Sequence, residues 1–254
     1  FFALLAGFAV KVPIFPVHTW LPDAHTEAPT AGSVVLAGVL LKLGTYGIYR
    51  FAMPFAPDAF VHHAPFIATL SIIGILYGGL VCWVQTDVKK LVAYSSVAHL
   101  GFCILGLTAG NTVGISGSIA YMINHGLSTG ALFLLIGMVY ERYHTRNMKE
   151  LGGLAAKMPI WATFMVFFAM ANSGLPATSG FVGEFLVILA AIRENVWIGM
   201  GAAVTLILGA AYTLWMVKRV IYGAVANPEV GALADLSRRE FWLHINSMVD
   251  KGVT

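Results

Sequence analysis

Five ionisable side chains lie within long apolar stretches of this sequence. They are Lys11 in "GFAVKVPIF", Lys42 in "LAGVLLKLGTYGIY", His99 in "AYSSVAHLGF", His125 in "YMINHGLSTG" and Glu184 in "SGFVGEFLVI". Amine, imidazole and carboxyl groups exchange protons, and burial and neighbouring charges shift their pKa values over a wide range. Groups of this kind, spaced through an apolar protein, predict the movement of protons or other ions.

Polar neighbours extend the prediction for two of these groups. Thr45 and Tyr46 follow Lys42 by three and four residues, so they share its helical face, and Ser128 follows His125 by about one turn. A lysine at the centre of a membrane helix costs about 2.5–3.5 kcal/mol, and ionisable groups there usually face a partner or a water-filled cavity. The alternatives are that Lys42 extends along its own side chain to the membrane surface, and that the histidines only form hydrogen bonds in packing.

The composition indicates which elements must position these residues. The chain has 254 residues, of which 58% are hydrophobic and 11% charged, and its mean hydropathy is +0.80. Soluble domains are about 45–50% apolar and 25% charged. About 20 apolar residues span a bilayer, and such runs lie at 1–18, 30–50, 66–84, 91–110, 113–140, 160–192 and 195–217. We therefore expect an all-α, polytopic transmembrane helical bundle of seven helices, with room for an eighth after residue 240, in a single domain over residues 1–254.

Two of the seven spans contain helix breakers. Pro13 and Pro16 follow Lys11, and "ANSGLPATSGFVGEF" interrupts the sixth span; proline removes a backbone donor, and carbonyl groups left unpaired inside a membrane need other partners. We expect a half-helix to begin near Phe181, with Glu184 in its first turn, where the helix dipole stabilises a carboxylate. Because the broken spans are the first and the sixth, they cross the membrane in opposite directions, which predicts an inverted repeat with a site between the breaks. The alternative for each break is a kinked packing helix.

The basic residues indicate the orientation of the bundle. The connections near 84–90, 141–159 and 218–240 carry Lys89, Lys90, Arg142, Arg146, Lys149, Lys157, Lys218, Arg219, Arg238 and Arg239. The opposite connections carry only Arg50 and Arg193. The positive-inside rule then places the basic connections, and with them residues 21–29, on the cytoplasmic side. The net charge of +3 is therefore a signal of topology, and no nucleic-acid partner is expected.

Other chemistries have no support in the sequence. Cys82 and Cys103 stand alone in apolar runs, which predicts buried core residues and neither a disulfide nor a metal site. No stretch resembles a nucleotide, haem, flavin or iron–sulfur motif or a hydrolytic triad. We expect no cofactor and no redox or hydrolytic site in this chain.

Four stretches together resemble the antiporter-like membrane subunits of respiratory complex I. They are "FAVKVPIFPVHTWLPDAHTEAPTAGSVVLAGVLLKLGTYGIYRF", "QTDVKKLVAYSSVAHLGF", "INHGLSTGALFLLIGMVYERYHTRNMKELGGL" and "GLPATSGFVGEFLVI". The similarity runs from residue 1 to about residue 243. It is specific for the subunit M family, called chain 4 in mitochondria, because the sister subunits carry a lysine near the glutamate of "FVGEF". The resemblance implies a proton-pumping module of fourteen helices, of which this chain supplies the seventh to the thirteenth and part of the fourteenth.

The resemblance also implies a role for each candidate residue. Lys11 is the central lysine of the broken seventh helix, Lys42 passes the proton onward from the eighth, His125 continues the path on the eleventh, and Glu184 is the terminal carboxylate on the broken twelfth. His99 lines a half-channel. Trp20, in "HTWLPDAH", matches a family position near the Lys11 helix, or else anchors the chain at the membrane interface. The expected proton-transfer residues are therefore Lys11, Lys42, His125 and Glu184, supported by His99, Tyr46, Ser128 and Trp20.

The resemblance has two departures and leaves alternatives for function. The family's glutamate on the fifth helix, the partner of the Lys11 position, is expected before residue 1, and "REFWLHINSMVDKGVT" is polar where the family continues into an apolar helix. The expected host is a bacterial inner membrane, the expected partners are the sister subunits L and N, and flavin, iron–sulfur clusters and quinone are expected in other subunits. The alternatives are a subunit of a Mrp-type cation/proton antiporter or membrane-bound hydrogenase, and a scaffold in the membrane arm.

Overall fold

Ten α-helices make up most of the computed structural model, which describes residues 1–225 and 227–249. The helices are α1 (Phe2–Lys11), α2 (Trp20–Glu27), α3 (Thr30–Phe55), α4 (Pro57–Val84), α5 (Val88–Thr108), α6 (Thr112–Tyr143), α7 (Pro159–Asn172), α8 (Ser179–Glu194), α9 (Val196–Val220) and α10 (Arg238–Val249). Within the described residues, α3, α4, α5, α6 and α9 are long and apolar enough to cross a membrane. The predicted class, an all-α bundle of membrane helices, is confirmed.

The seven predicted spans appear in order as α1 with α2, α3, α4, α5, α6, α7 with α8, and α9. Two boundaries differ by nine residues: α2, the second half of the first span, ends at Glu27 and not near residue 18, and α4 begins at Pro57 and not near residue 66. His62 and His63, which precede the predicted third span, therefore lie inside this helix. Proline at the first helical position has a backbone angle already suited to a helix, and the helix then continues through Pro65.

Helices α5 and α6 form the centre of the bundle. Both are buried along most of their length, whereas less than half of the most apolar stretch of α3, α4 and α9 is fully buried within the chain. Side chains fix where the helices begin: Asp87 accepts from the backbone amide of Lys89 at 2.7 Å at the start of α5, and Asn111 from that of Gly114 at 2.8 Å at the start of α6. These bonds satisfy amides that a helix start leaves unpaired. The two central helices carry His99 and His125.

Both predicted helix breaks are present. The first separates α1 from α2 over residues 12–19, and the second separates α7 from α8 over residues 173–178. Each lies where the sequence places proline and polar residues inside an apolar span. The two spans are therefore pairs of half-helices, and the inverted relation between them stays a prediction.

The connections predicted to share one side of the membrane meet at one end of the bundle. The hydrogen bonds that join them include Lys89 Nζ to the carbonyl of Ala28 at 2.8 Å, Arg146 Nη1 to the carbonyl of Thr26 at 2.8 Å, and the amide of Ala155 to the carbonyl of Ile221 at 3.0 Å. Residues 21–29, 84–90, 141–159 and 218–240 therefore lie at the same end, as the basic residues predict. Their assignment to the cytoplasmic side stays a prediction.

The C-terminal part of the described chain packs against this same end. Asp235 accepts from the amides of Ile160 at 2.8 Å and Trp161 at 3.0 Å, which satisfies the start of α7. Helix α10 covers 12 of the described residues and is not among the helices there that are long and apolar enough to cross a membrane. The last five residues of "REFWLHINSMVDKGVT", 250–254, lie outside the described residues.

Candidate functional site

Lys42 and His125 are in direct contact at the centre of the bundle. The Nζ atom of Lys42 on α3 lies 2.6 Å from Nδ1 of His125 on α6, and it also donates to the carbonyl of Ala37. When Lys42 donates to Nδ1, the ring proton of His125 resides on Nε2. The contact is therefore a hydrogen bond that joins a proton donor directly to an imidazole nitrogen able to accept a proton.

The sequence brings these two side chains together through a close helix crossing. A Cβ atom at Gly126 would lie 2.8 Å from the carbonyl oxygen of Gly38, closer than side chains pack, so only glycine allows α6 to approach α3 to this distance. Gly126 follows His125, and Gly38 precedes Lys42 by one turn. The preceding stretch of α3, Leu36–Leu40, has π-helical hydrogen bonding, an irregularity that is frequent at functional sites.

His99 on α5 extends the contact toward the other side of the bundle. It is buried, its ring centroid lies 5.4 Å from that of His125, and its Nε2 atom lies 3.1 Å from the hydroxyl of Tyr212 on α9. The nearby hydroxyls of Ser95 and Ser96 bond back to their own helix, at the carbonyl of Val92. The structure thus places His99 between His125 and a tyrosine hydroxyl.

Glu184 on α8 is almost fully buried, with 2% of its surface exposed. Its Oε1 atom accepts from the hydroxyl of Tyr121 on α6 at 3.4 Å, and the Tyr121 ring centroid lies 5.9 Å from that of His99. Its Oε2 atom makes no hydrogen bond within residues 1–225 and 227–249. Lys42, His125, His99, Tyr121 and Glu184 therefore follow one another across α3, α6, α5 and α8.

The predicted position of Glu184 within its half-helix was wrong by one turn. Helix α8 begins at Ser179, two residues before the expected start, so Glu184 is its sixth residue and lies in the second turn. The reason is the extended conformation of Thr178, which ends the break earlier than the apolar run suggested. The carboxylate instead lies beside the backbone of the break. Its Oε2 atom is so close to Gly174 that a Cβ atom there would overlap it.

Lys11 and Trp20 lie at the first break. Lys11 ends α1 and is partly exposed, and its side chain has no hydrogen bond or ion pair within the part of the chain that the structure describes. Trp20 Nε1 donates to the carbonyl of Val10 at 3.0 Å, so it provides a partner for a carbonyl that the break leaves unpaired. The backbone at Lys11 and Val12 packs against α3 at Gly44, two residues from Lys42.

The two remaining predicted residues, Tyr46 and Ser128, lie on the two helices that carry the Lys42 contact. Tyr46 is half exposed and lines, with Lys42, an apolar groove of about 610 Å³ between α3 and α6. Ser128 is buried and donates to the carbonyl of Asn124 at 2.6 Å. Tyr46 thus shares a groove with Lys42, and Ser128 bonds within α6.

The sequence reasoning missed Tyr121 and Tyr212. Tyr121 precedes His125 by four residues, and this spacing places both on one helical face, so its position could have been predicted from the motif "YMINHGLSTG". Tyr212 is a single tyrosine in the apolar run "LILGAAYTLW", where an aromatic residue is as well suited to packing. Only the fold brings its hydroxyl to His99.

Clusters of acidic, histidine or cysteine side chains that could bind a metal ion are absent from residues 1–225 and 227–249. No group of three or more such residues there is placed to hold a metal ion. Cys82 and Cys103 are buried, which confirms their predicted place in the core.

Comparison with known proteins identifies the family. A family model described as "NADH:quinone oxidoreductase/Mrp antiporter, TM" matches residues 1–209. The chain belongs to this family. The resemblance to the subunit M, or chain 4, members is confirmed by relatives of high identity.

Two curated relatives and one solved structure show the extent of the similarity. NADH-ubiquinone oxidoreductase chain 4 of Marchantia polymorpha is 50% identical over 247 residues, which are 97% of this chain and 50% of the relative. NADH-quinone oxidoreductase subunit M of Rhodobacter capsulatus is 50% identical over 240 residues, 94% of this chain and 47% of the relative. A chain of respiratory complex I from Thermus thermophilus with bound NADH matches with a TM-score of 0.92 and 33% identity, over 98% of this chain and 53% of that chain. This chain thus spans about half the length of the relatives it matches.

Proposed function

We propose that this chain is part of a proton-translocating membrane subunit of an NADH:quinone oxidoreductase, of the subunit M type. The single observation that carries the proposal is the series of contacts from Lys42 through His125, His99 and Tyr121 to Glu184, with a hydrogen bond at each end and ring packing between them. A row of ionisable groups inside a membrane protein is expected to mark a proton path, because each is costly to bury without a role. The high identity to subunit M and chain 4 relatives supports the choice of complex I.

In this proposal the residues transfer protons between half-helices. Lys42 gives its proton to Nδ1 of His125, and the ring then holds it until a neighbouring group accepts it. Glu184 receives the proton at the far end, beside the second break. Lys11, at the first break, supplies the proton or the charge that starts the transfer, and Trp20 holds the first break open beside it.

The remaining parts of the proposal concern the assembly. The whole protein takes the sister subunits L and N as neighbours, and the redox chemistry of flavin, iron–sulfur clusters and quinone occurs in other subunits. The host is a bacterial inner membrane, with the basic connections on the cytoplasmic side. This chain supplies the seventh to thirteenth helices of the longer subunit and the beginning of the fourteenth.

Proton pumping by the full-length protein in its complex tests the central claim. Glu184→Gln keeps the shape of the side chain but cannot take up or release a proton. Lys11→Ala removes the cation at the first break. We expect either variant to abolish most of the pH gradient formed by proteoliposomes during quinone reduction. Glu194→Gln, on the exposed end of the same helix α8, is the matched control and should pump normally. Normal pumping by Glu184→Gln in a fully assembled complex would contradict the proposal.

The alternative in the same family is a subunit of a cation/proton antiporter. The family model covers both classes, so the distinction rests on genetic context and on the ion that moves. The presence of genes for subunits L and N beside the gene for this chain would support complex I. Sodium efflux driven by a pH gradient, in the absence of NADH and quinone, would instead support the antiporter.

A further inference from the structure

Two side chains of α6 hydrogen-bond to the two ends of the second break. Thr129 Oγ1 donates to Oδ1 of Asn172, the last residue of α7, at 3.2 Å. Asn124 Nδ2 donates to the carbonyl of Ser179, the first residue of α8, at 2.6 Å. One helix therefore holds both half-helices on either side of residues 173–178.

The same short segment of α6 also carries the contact with Lys42. His125 lies between Asn124 and Thr129 in sequence, and its Nδ1 atom is 2.6 Å from Lys42 Nζ. Thr129 and His125 are both buried. Because residues 124–129 belong to one continuous helix, a displacement of the α6 backbone at His125 toward or away from Lys42 also moves the two groups that hold the break.

Glu184 lies beside this break. Tyr121 of α6 donates to its Oε1 atom, His99 of α5 packs against the Tyr121 ring, and Tyr212 of α9 bonds in turn to His99. Gly174, inside the break, lies against its Oε2 atom. A shift of the break relative to α6 would therefore change the surroundings of both carboxylate oxygens.

We propose that Asn124 and Thr129 are positioning residues that link the Lys42–His125 contact to Glu184. They hold the ends of α7 and α8, so that a change of charge at the contact is transmitted through α6 to the carboxylate. The inference rests on the proposed function, since it takes Lys42, His125 and Glu184 as proton-transfer groups. The simpler alternative is that the two bonds only stabilise packing.

Hydrogen exchange in the intact complex tests whether the two bonds hold the break. Thr129→Val and Asn124→Leu remove the donors with little change in volume. We expect the backbone amides of 173–183 to exchange about tenfold faster in each variant, since a lost buried bond favours local opening. Ser118→Ala is the matched control, because it removes another buried α6 hydroxyl, which donates to the carbonyl of Cys103 at 2.6 Å, and it should leave exchange at 173–183 unchanged. Exchange at wild-type rates in Thr129→Val would contradict the proposal that this side chain holds the break.

The pH profile of proton pumping tests the link to Glu184. We expect the profile of Thr129→Val and of Asn124→Leu to shift by about 0.5 pH unit or more, because the surroundings of the carboxylate set its pKa. Thr129→Ser keeps the donor and should restore the wild-type profile. A uniform fall in pumping with an unchanged profile would show a packing role only, and would overturn the link. Normal pumping by Glu184→Gln would show that the proposed function itself is wrong. The exchange rates test separately whether Asn124 and Thr129 hold the break, because they do not depend on pumping.

Discussion

Tyr121 contacts both Glu184, through its hydroxyl, and His99, through its ring. It donates to Oε1 at 3.4 Å, and its ring packs beside His99. Tyr121→Phe removes this donor and keeps the ring, so we expect proton pumping to fall about fivefold, the equivalent of about 1 kcal/mol for one hydrogen bond. The measurement is the initial rate of pumping in proteoliposomes at constant quinone reduction. Tyr222→Phe, at an exposed tyrosine, should pump at the wild-type rate, and an equal loss in both variants would argue against a specific role for Tyr121.

Gly174 has a separate role at the residue scale. Its φ of +73° favours glycine, and a Cβ atom there would overlap the Glu184 carboxylate. We expect Gly174→Ala to displace Glu184 and to abolish most proton pumping, in addition to a loss of about 1–2 kcal/mol in stability from the backbone angle.

Gly110 separates these two effects. It has a similar φ of +64°, and no atom lies within 4 Å of the position of its Cβ. Gly110→Ala should therefore show a comparable loss of thermal stability in detergent with normal pumping. Equal pumping by the two alanine variants would contradict the steric role of Gly174.

At the scale of the elements, the end of α2 is held by two cations from distant parts of the chain. Lys89 Nζ and Arg146 Nη1 each donate to a carbonyl of the α2 terminus, at Ala28 and Thr26. A cation at a helix C-terminus satisfies unpaired carbonyls and opposes the negative end of the helix dipole. The half-helix that follows the first break is therefore fixed to α5 and to the connection after α6.

Lys89→Met tests this attachment. The side chain of Lys89 is largely buried, so we expect a loss of about 1–2 kcal/mol in stability and faster hydrogen exchange at residues 23–28. Lys90→Met is the control, because the side chain of Lys90 forms an exposed ion pair with Asp23 at 3.6 Å, and such pairs contribute little. Equal effects of the two substitutions on the thermal unfolding midpoint would contradict a specific role for Lys89.

The breaks could be predicted from the sequence because their cause is local. Proline and glycine interrupt helices through their own backbone chemistry, so Pro13, Pro16 and Gly174 mark both positions in the sequence. The start of α8 was placed two residues late, since the extended angle of Thr178 depends on its surroundings. The same limit applies to α4, where Pro57 could have been taken either as the end of a loop or as the first residue of a helix.

For the whole molecule, the sequence identified the ionisable groups but not the order in which they meet. A charge inside an apolar span is visible from composition alone, which is why Lys42, His125 and Glu184 could be named. The contact of His99 with Tyr212 joins residues far apart in the sequence, and no local pattern reports such a pair. Tyr121 lies between these cases, because its spacing from His125 was visible and its contact with Glu184 was not.

The C-terminal segment joins the end of the bundle through a charge pair that depends on pH. Glu240 accepts from Arg142 Nη2 with both carboxylate oxygens at 3.0 Å, and from the amide of Ser237 at 2.6 Å. Burial alone would raise the pKa of Glu240, but the bonds from Ser237 and Arg142 outweigh it and lower the pKa below its ordinary value of 4.5. A carboxyl group with a lowered pKa stabilises the fold above its ordinary pKa, and this contribution is lost as the pH falls through the folded value.

Glu240→Gln should therefore destabilise the protein at neutral pH and have little effect in acid. We expect a loss of about 1 kcal/mol at pH 7, as for a partly exposed pair with good geometry. The difference between wild type and variant should shrink as the pH falls below about 4.5, measured as the thermal unfolding midpoint in detergent. Glu229→Gln, at an exposed position of the same segment, should match the wild type at every pH. A difference between wild type and Glu240→Gln that stays constant from pH 7 to pH 3 would show that the carboxylate charge does not hold the segment to α6.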